Sequence, residues 1–339
     1  MSPHNAKSAI RVRHLCHRFG PHDVLRDVSF DVGHGEIFGF IGPNGAGKTT
    51  TIRVMSTLLE PLAGRVEIDG YDVSVDQDKV RRLIGYMPDH AGVYERVTVR
   101  EYLEFFADAY GVSSGGSDYA VVDAVLELTD LAKLESKLVV TMSKGMKQRL
   151  QLGRVLLHDP KVLILDEPAS DLDPRARIEM RDLLVELRSM GKTIFLSSHI
   201  LTELADVCTS VAILERGQLV VSGPISEIAE RLQAARAGKN ARAAASNERV
   251  EPKASTRILR LRVLATEDSV RAALGPATFV ERVGAGPGGT VAVTFAGDDH
   301  AVAEIVKLLV AANVPVCGVE PERNELERIF LEVTNGDLQ

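Results

Sequence analysis

The 339-residue chain is 45% apolar and 26% charged, and its 28 Gly and 14 Pro exclude a collagenous or low-complexity protein. Its 40 Lys and Arg face 47 Asp and Glu, a net charge of −7, and it has no Trp and 5% aromatic residues. That balance argues against a duplex-binding footprint and a base-stacking platform, and so against a nucleic-acid partner.

The first seven residues lack an apolar core, so no secretory signal is read there. Residues 10–15, 24–32 and 66–68 read as short strands separated by turn residues. The apolar run 36–41 ends in a glycine-rich turn, and a helix is predicted over 49–59. Residues 101–157 are mainly helical in pattern, with Tyr102, Phe105, Phe106 and Ala109 at three- and four-residue spacing. Runs at 162–165, 193–196 and 211–214 have strand length without alternation, which suits strands covered by helices on both faces. The block 101–157 is therefore a helical insertion in an α/β core.

Residues 233–257 change character. Arg236, Lys239, Arg242, Arg249, Lys253 and Arg257 face Glu248 and Glu251, six basic against two acidic, a local charge of +4. With few large apolar side chains the stretch cannot offset its chain entropy, and it reads as a solvated linker, with contact to anionic lipid headgroups as the alternative. Beyond it, predicted strands at 258–263, 278–283, 290–295 and 315–319 interleave with helices at 266–274 and 298–312, and a last helix covers 325–333. The βαββαβ order predicts a small α+β, ferredoxin-like domain. The most apolar stretches, 37–42 and 305–318, fall short of the roughly 20 residues a spanning helix needs. Cys16, Cys208 and Cys317 form no disulfide framework and fit a reducing compartment; Cys208 and Cys317 read as small packing residues. His14, Cys16 and His17 lie on a predicted strand that splits them between faces, so no zinc site is read.

Chemistry concentrates at two places. Gly42, Pro43, Asn44, Gly45, Ala46, Gly47, Lys48 and Thr49 satisfy G-x-x-x-x-G-K-[ST] between a predicted strand and a predicted helix. Such a loop curls its backbone N–H groups around a phosphate, Lys48 supplies a point charge for the β- and γ-phosphates, and the Thr49 hydroxyl is a Mg²⁺ ligand. Asp166 and Glu167 end the apolar run 162–165, where paired acids are costly unless something cationic or catalytic uses them. Asp166 would hold Mg²⁺, and Glu167 would polarise an attacking water. After the next run come Ser197, Ser198 and His199, and the histidine is within reach of a γ-phosphate. Glu203 and Asp206 beyond it read as a solvated helix face.

Together these pieces resemble the ATP-binding cassette ATPases, the motor subunits of ABC transporters. Phe19 matches the aromatic that stacks on adenine, and Met142 to Arg149 resemble the family's signature motif. Ser170 to Pro174 resemble its D-loop, and His199 its switch histidine. The resemblance implies a P-loop NTPase cassette over 8–232, with a RecA-like core, an antiparallel β subdomain and a helical insertion. A linker over 233–256 and an accessory domain over 257–339 follow. It further implies ATP and Mg²⁺ as cofactors, ATP held by the loop through Thr50, and a homodimer in which Ser143 and Gly145 close over the partner's nucleotide. Lys48, Glu167 and His199 would be catalytic, with Thr49, Asp166 and Asp89 toward the metal.

Two positions depart from the family. Lys144 and Met146 replace the signature's Gly and Gln, and Lys144 adds positive charge at the subunit interface. Asp89 stands where the family has Gln. The segment 325–334 is similar to the end of exporter ATPases whose permease is a separate chain. The function implied is ATP-driven export of a drug, antibiotic, lipid or polysaccharide, from the cytoplasmic face of the cell membrane. A non-transport cassette ATPase and a regulatory ATP-binding module are the alternatives.

Overall fold

Unalternating apolar runs become the buried strands of a six-stranded sheet. The computed structural model describes residues 8–89, 92–94, 96–112, 119–199, 207–225, 227–228, 256–286, 289–297 and 299–321. Described residues up to 228 belong to one compact unit and those from 256 to 321 to a second. Residues 233–255 of the predicted linker, the predicted helix at 325–333, Glu203 and Asp206 lie outside the described residues, while Thr256, read as the last linker residue, already opens a strand of the second unit.

In the first unit, β1 (Ser8–Phe19) and β2 (His22–Gly33) pair with β4 (Ala63–Ile68) and β5 (Tyr71–Asp72) in an antiparallel sheet of order β2-β1-β4-β5. The central sheet takes β3 (Ile37–Ile41), β6 (Ile84–Met87), β7 (Val162–Leu165), β8 (Thr193–Ser198), β9 (Ser210–Glu215) and β10 (Gln218–Pro224) in the order β10-β9-β3-β8-β7-β6. All pairings are parallel except the β9–β10 hairpin. Every residue of β3, β7 and β8 is buried, as strands covered on both faces require. Phe30 of β2 stacks on Phe38 and Phe195 at centroid distances of 5.5 and 5.9 Å, joining the two sheets through one aromatic cluster.

Helix α1 (Lys48–Met55) follows β3, and α2 (Gln77–Leu83) precedes β6. The expected helix over 49–59 stops early because Thr57 takes φ +59°, a conformation a helix cannot continue through. Strand β4 starts three residues before the predicted one; Ala63, Gly64 and Arg65 are exposed and held by pairing to β1, which leaves no apolar signal.

The insertion consists of α3 (Val99–Tyr110), α4 (Ala120–Leu128) and α5 (Lys144–Leu156). A capping box starts α3: Thr98 Oγ1 accepts from the Glu101 N–H, and the Glu101 carboxylate accepts from the Thr98 N–H at 2.7 Å. The buried face carries Tyr102, Leu103 and Ala107; Phe105, expected on that face, is 54% exposed. Helix α6 (Pro174–Ser189), with Asp173 as its N-cap, lies between β7 and β8 in sequence.

The second unit orders β11 (Thr256–Val263), α7 (Glu267–Leu274), β12 (Val280–Ala285), β13 (Val291–Ala296), α8 (Asp299–Ala311) and β14 (Val316–Pro321). This is the βαββαβ alternation, with an antiparallel sheet of order β12-β13-β11-β14 over a core of Leu259, Leu261, Val293, Phe295, Ile305 and Leu309. Cys317 corrects the sequence reading. It is exposed, because the β11–β14 register shifts between Gly318 and Val316 and turns the intervening residue outward. Cys208 is buried, and burial pushes its thiol up to about 12. In the folded chain at pH 8, iodoacetamide is expected to label Cys317 and spare Cys208, as read by peptide mass spectrometry.

Candidate functional site

Strand β3 delivers the chain into the glycine-rich loop, and neighbouring strands hold the loop in place. Gly42 N–H donates to the Ser198 carbonyl at 3.4 Å, and Gly217 N–H, in the β9–β10 turn, to the Ala46 carbonyl at 3.0 Å. A Cβ on Gly42 would lie 2.3 Å from the Leu214 carbonyl oxygen, so the backbones touch there. Gly47, the N-cap of α1, has φ +109°, and its Cβ would meet Leu25 Cδ2 at 2.6 Å. Gly47→Ala is therefore expected to cost about 2–3 kcal/mol through strain and overlap together, measured as a lowered urea midpoint.

Lys48 opens α1, where a cation opposes the helix dipole. Its ammonium folds back into the loop instead, donating to the carbonyls of Gly42 at 2.7 Å and Pro43 at 3.4 Å, and the residue is 6% exposed. Behind it, the Thr51 hydroxyl donates to the Gly47 carbonyl at 3.1 Å and secures the first turn.

The acids arrive from β7. Asp166 is 2% exposed; its Oδ1 accepts from the Ser197 hydroxyl at 2.6 Å, and its carboxylate also pairs with the Thr49 hydroxyl. Burial pushes the Asp166 carboxyl above its usual range; the Ser197 and Thr49 hydrogen bonds pull it back, while the charges of Asp89 and Glu167 add to the rise. Glu167 adopts φ +50°, and its N–H donates to Ser197 Oγ at 3.0 Å. Its two carboxylate oxygens divide between two partners: Oε1 lies 3.3 Å from Lys48 Nζ, and Oε2 lies 2.8 Å from His199 Nδ1.

A cleft of about 190 Å³ opens in front of these groups. Pro43, Asn44, Gly45, Gly47, Lys48, Thr49 and Thr50 line it on the loop side, with Asp89 and Glu167 opposite. The chain thus brings Lys48, Thr49, Asp89, Asp166, Glu167 and His199 into one neighbourhood. Ala46 is buried within the loop itself.

Other predicted residues stand elsewhere. Phe19, at the end of β1, is 48% exposed, with its ring edge-on to His17 at 4.7 Å, and is not in the cleft lining. Ser143 caps α5, accepting from Met146 N–H at 3.3 Å, and a Cβ on Gly145 would meet Ala176 Cβ at 2.8 Å, so the signature segment packs on α6. Neither residue lines the cleft of its own chain. The Lys144 ammonium pairs with Asp171 Oδ2 at 2.8 Å, an exposed contact that the sequence reading did not anticipate. The sequence reading missed Val24, which lines the cleft, and gave no role to Ser197, which joins Asp166 to the Glu167 backbone. Ser197 lies in a strand buried on both faces, where alternation carries no signal about which serine turns toward the acids.

A strand, a glycine-rich loop with its lysine folded inward, and a strand-end acid pair across a shared cleft define a P-loop nucleoside triphosphatase. The ABC transporter family profile matches residues 25–170. The chain is 38% identical over 223 residues to the bacitracin transport ATP-binding protein BcrA of Bacillus licheniformis, covering 66% of this chain and 72% of that one. It is 37% identical over 223 residues to the daunorubicin resistance ATP-binding protein DrrA3 of Streptomyces coeruleorubidus, covering 66% of this chain and 70% of the relative. A solved ATP-binding subunit of an ABC transporter superposes with a TM-score of 0.59 at 33% identity, over 67% of this chain and 94% of that one. The chain belongs to the ABC transporter ATP-binding proteins and is an ABC-type ATPase.

Proposed function

We propose that this chain is the motor subunit of an exporter. Two copies act on a separately encoded membrane permease at the inner face of the cell membrane, and the cargo is of the antibiotic or drug class. The relatives named for bacitracin transport and daunorubicin resistance support the cargo class. Among the described residues no helix is long and apolar enough to cross a membrane.

The observation that carries the reading is the Glu167 carboxylate, held between Lys48 and His199 at the cleft. A carboxylate so placed can accept a proton from water beside a terminal phosphate, and the imidazole fixes its orientation. Lys48 is buried and aimed into the loop, and so binds and orients the β- and γ-phosphates. The loop from Gly42 to Thr50 supplies backbone N–H groups, and Phe19, outside the cleft lining but half exposed, is available to stack on adenine.

The donor set also fits Mg²⁺. Thr49, Asp166 and Asp89 present hard oxygen donors, and three acids face one buried ammonium, an excess that a divalent cation balances. When bound, Mg²⁺ neutralises charge developing on the phosphate oxygens. Ser143 caps a helix end away from its own cleft, which suits a partner's phosphates.

The test combines turnover with transport. The purified chain should hydrolyse ATP only with Mg²⁺, and co-expression with a cognate permease should raise tolerance to a peptide or anthracycline antibiotic. Turnover stimulated by ribosomes or DNA and indifferent to the permease would overturn the reading.

A further inference from the structure

We propose that Ser197 is a positioning residue for ATP hydrolysis: its hydroxyl fixes the backbone between Asp166 and Glu167, and thereby aims the Glu167 carboxylate. The inference rests on the roles assigned above to those two acids.

Ser197 is fully buried near the end of β8, paired with Phe40 of β3 on one side, while Leu196 pairs with Leu165 of β7 on the other. Its hydroxyl has one hydrogen to donate and lone pairs to accept with, and both functions are used. It donates to Asp166 Oδ1 at 2.6 Å and accepts from Glu167 N–H at 3.0 Å. One oxygen atom therefore grips two consecutive residues, one through its side chain and one through its backbone.

The grip falls where the chain needs it. Asp166 N–H still follows the strand, donating to the Met87 carbonyl at 2.9 Å. At Glu167 the backbone turns to φ +50°, a region that residues with a Cβ avoid. The Glu167 carbonyl then accepts from Ser170 N–H at 3.1 Å, which commits the chain to the following turn. A left-handed residue persists only where its surroundings over-determine it, and the Ser197 hydroxyl is the partner that holds the amide on the strand side. The turn swings the side chain between Lys48 Nζ and His199 Nδ1. Without the hydroxyl, the part-buried Glu167 N–H and the buried Asp166 Oδ1 lose this shared partner together, and the Glu167 carboxylate is free to leave its aim. A misplacement of about 1 Å can cost a hundredfold in rate.

The experiment compares the full-length wild type, Ser197→Ala and Ser197→Thr, the last keeping an oxygen at the γ position. Three quantities are read: kcat for Mg-ATP, Kd for ATP in EDTA, and hydrogen exchange of individual amides in the nucleotide-free protein by NMR. Ser197→Ala is expected to lower kcat about tenfold to hundredfold with Kd within threefold of wild type. Exchange at the Glu167 amide should accelerate while the Leu165 and Leu196 amides stay protected, and Ser197→Thr should restore most of both effects. A kcat within twofold of wild type, an unchanged Glu167 amide, or loosening along all of β7 and β8 would each overturn the proposal. A wild type that binds ATP without turning it over would instead overturn the hydrolytic roles of Asp166 and Glu167, which separates the two failures.

Discussion

Replacing Glu167 with Gln is expected to lower ATP turnover by about 10²–10⁴-fold while nucleotide binding persists. The amide matches the carboxylate in shape but cannot take a proton from water at neutral pH. Binding survives because the other groups on the nucleotide side stay in place: Lys48 keeps its hydrogen bonds to Gly42 and Pro43, and Asp166 keeps its bond to Ser197. The substitution also removes one negative charge facing Lys48, which leaves the ammonium freer for phosphate. If two copies close on ATP as proposed, this variant should accumulate as a nucleotide-bound dimer in size-exclusion chromatography. Phosphate release within threefold of wild type would remove Glu167 from its assigned role.

Lys48→Ala acts on the other half of the reaction. Its expected effect is a loss of ATP affinity of about a hundredfold, read by equilibrium titration in the Glu167→Gln background so that hydrolysis does not interfere. The ammonium is the one buried cation among the residues lining the cleft, and three acids stand around the same space. Without it the cleft keeps its three acids and loses the one cation of its lining, so it repels a polyphosphate more strongly. Lys48→Arg should not restore binding. A planar guanidinium cannot occupy the point where Nζ sits 2.7 Å from the Gly42 carbonyl without displacing the loop. Restored affinity in that variant would argue that charge alone, without the folded-back geometry, suffices.

Legibility in the sequence followed how local each interaction is. The glycine-rich loop spends its chemistry on eight consecutive residues, and the acid pair ends one apolar run, so both could be read in place. Ser197 is 30 residues from Glu167 and 31 from Asp166, and only the pairing of β7 with β8 makes them neighbours. The pair of Lys144 and Asp171 spans 27 residues; read along the chain, the two belong to separate motifs, the signature segment and the D-loop. Spacing alone mistook Phe105 for a core residue because the helix turns Leu103 and Ala107 inward instead. Strand limits blurred where backbone pairing continued past the apolar residues, as at Ala63.

The aromatic cluster that joins the two sheets bears on how the first unit comes apart. Phe30 belongs to one sheet and Phe38, Phe40 and Phe195 to the other, with centroids 5.3 to 5.9 Å apart and every ring at most 4% exposed. Peeling the sheets apart would bring these rings into water together, before any other layer had been released. Both layers, and with them the loop that grasps phosphate, are therefore expected to denature in a single cooperative step, with one midpoint for every probe placed in them.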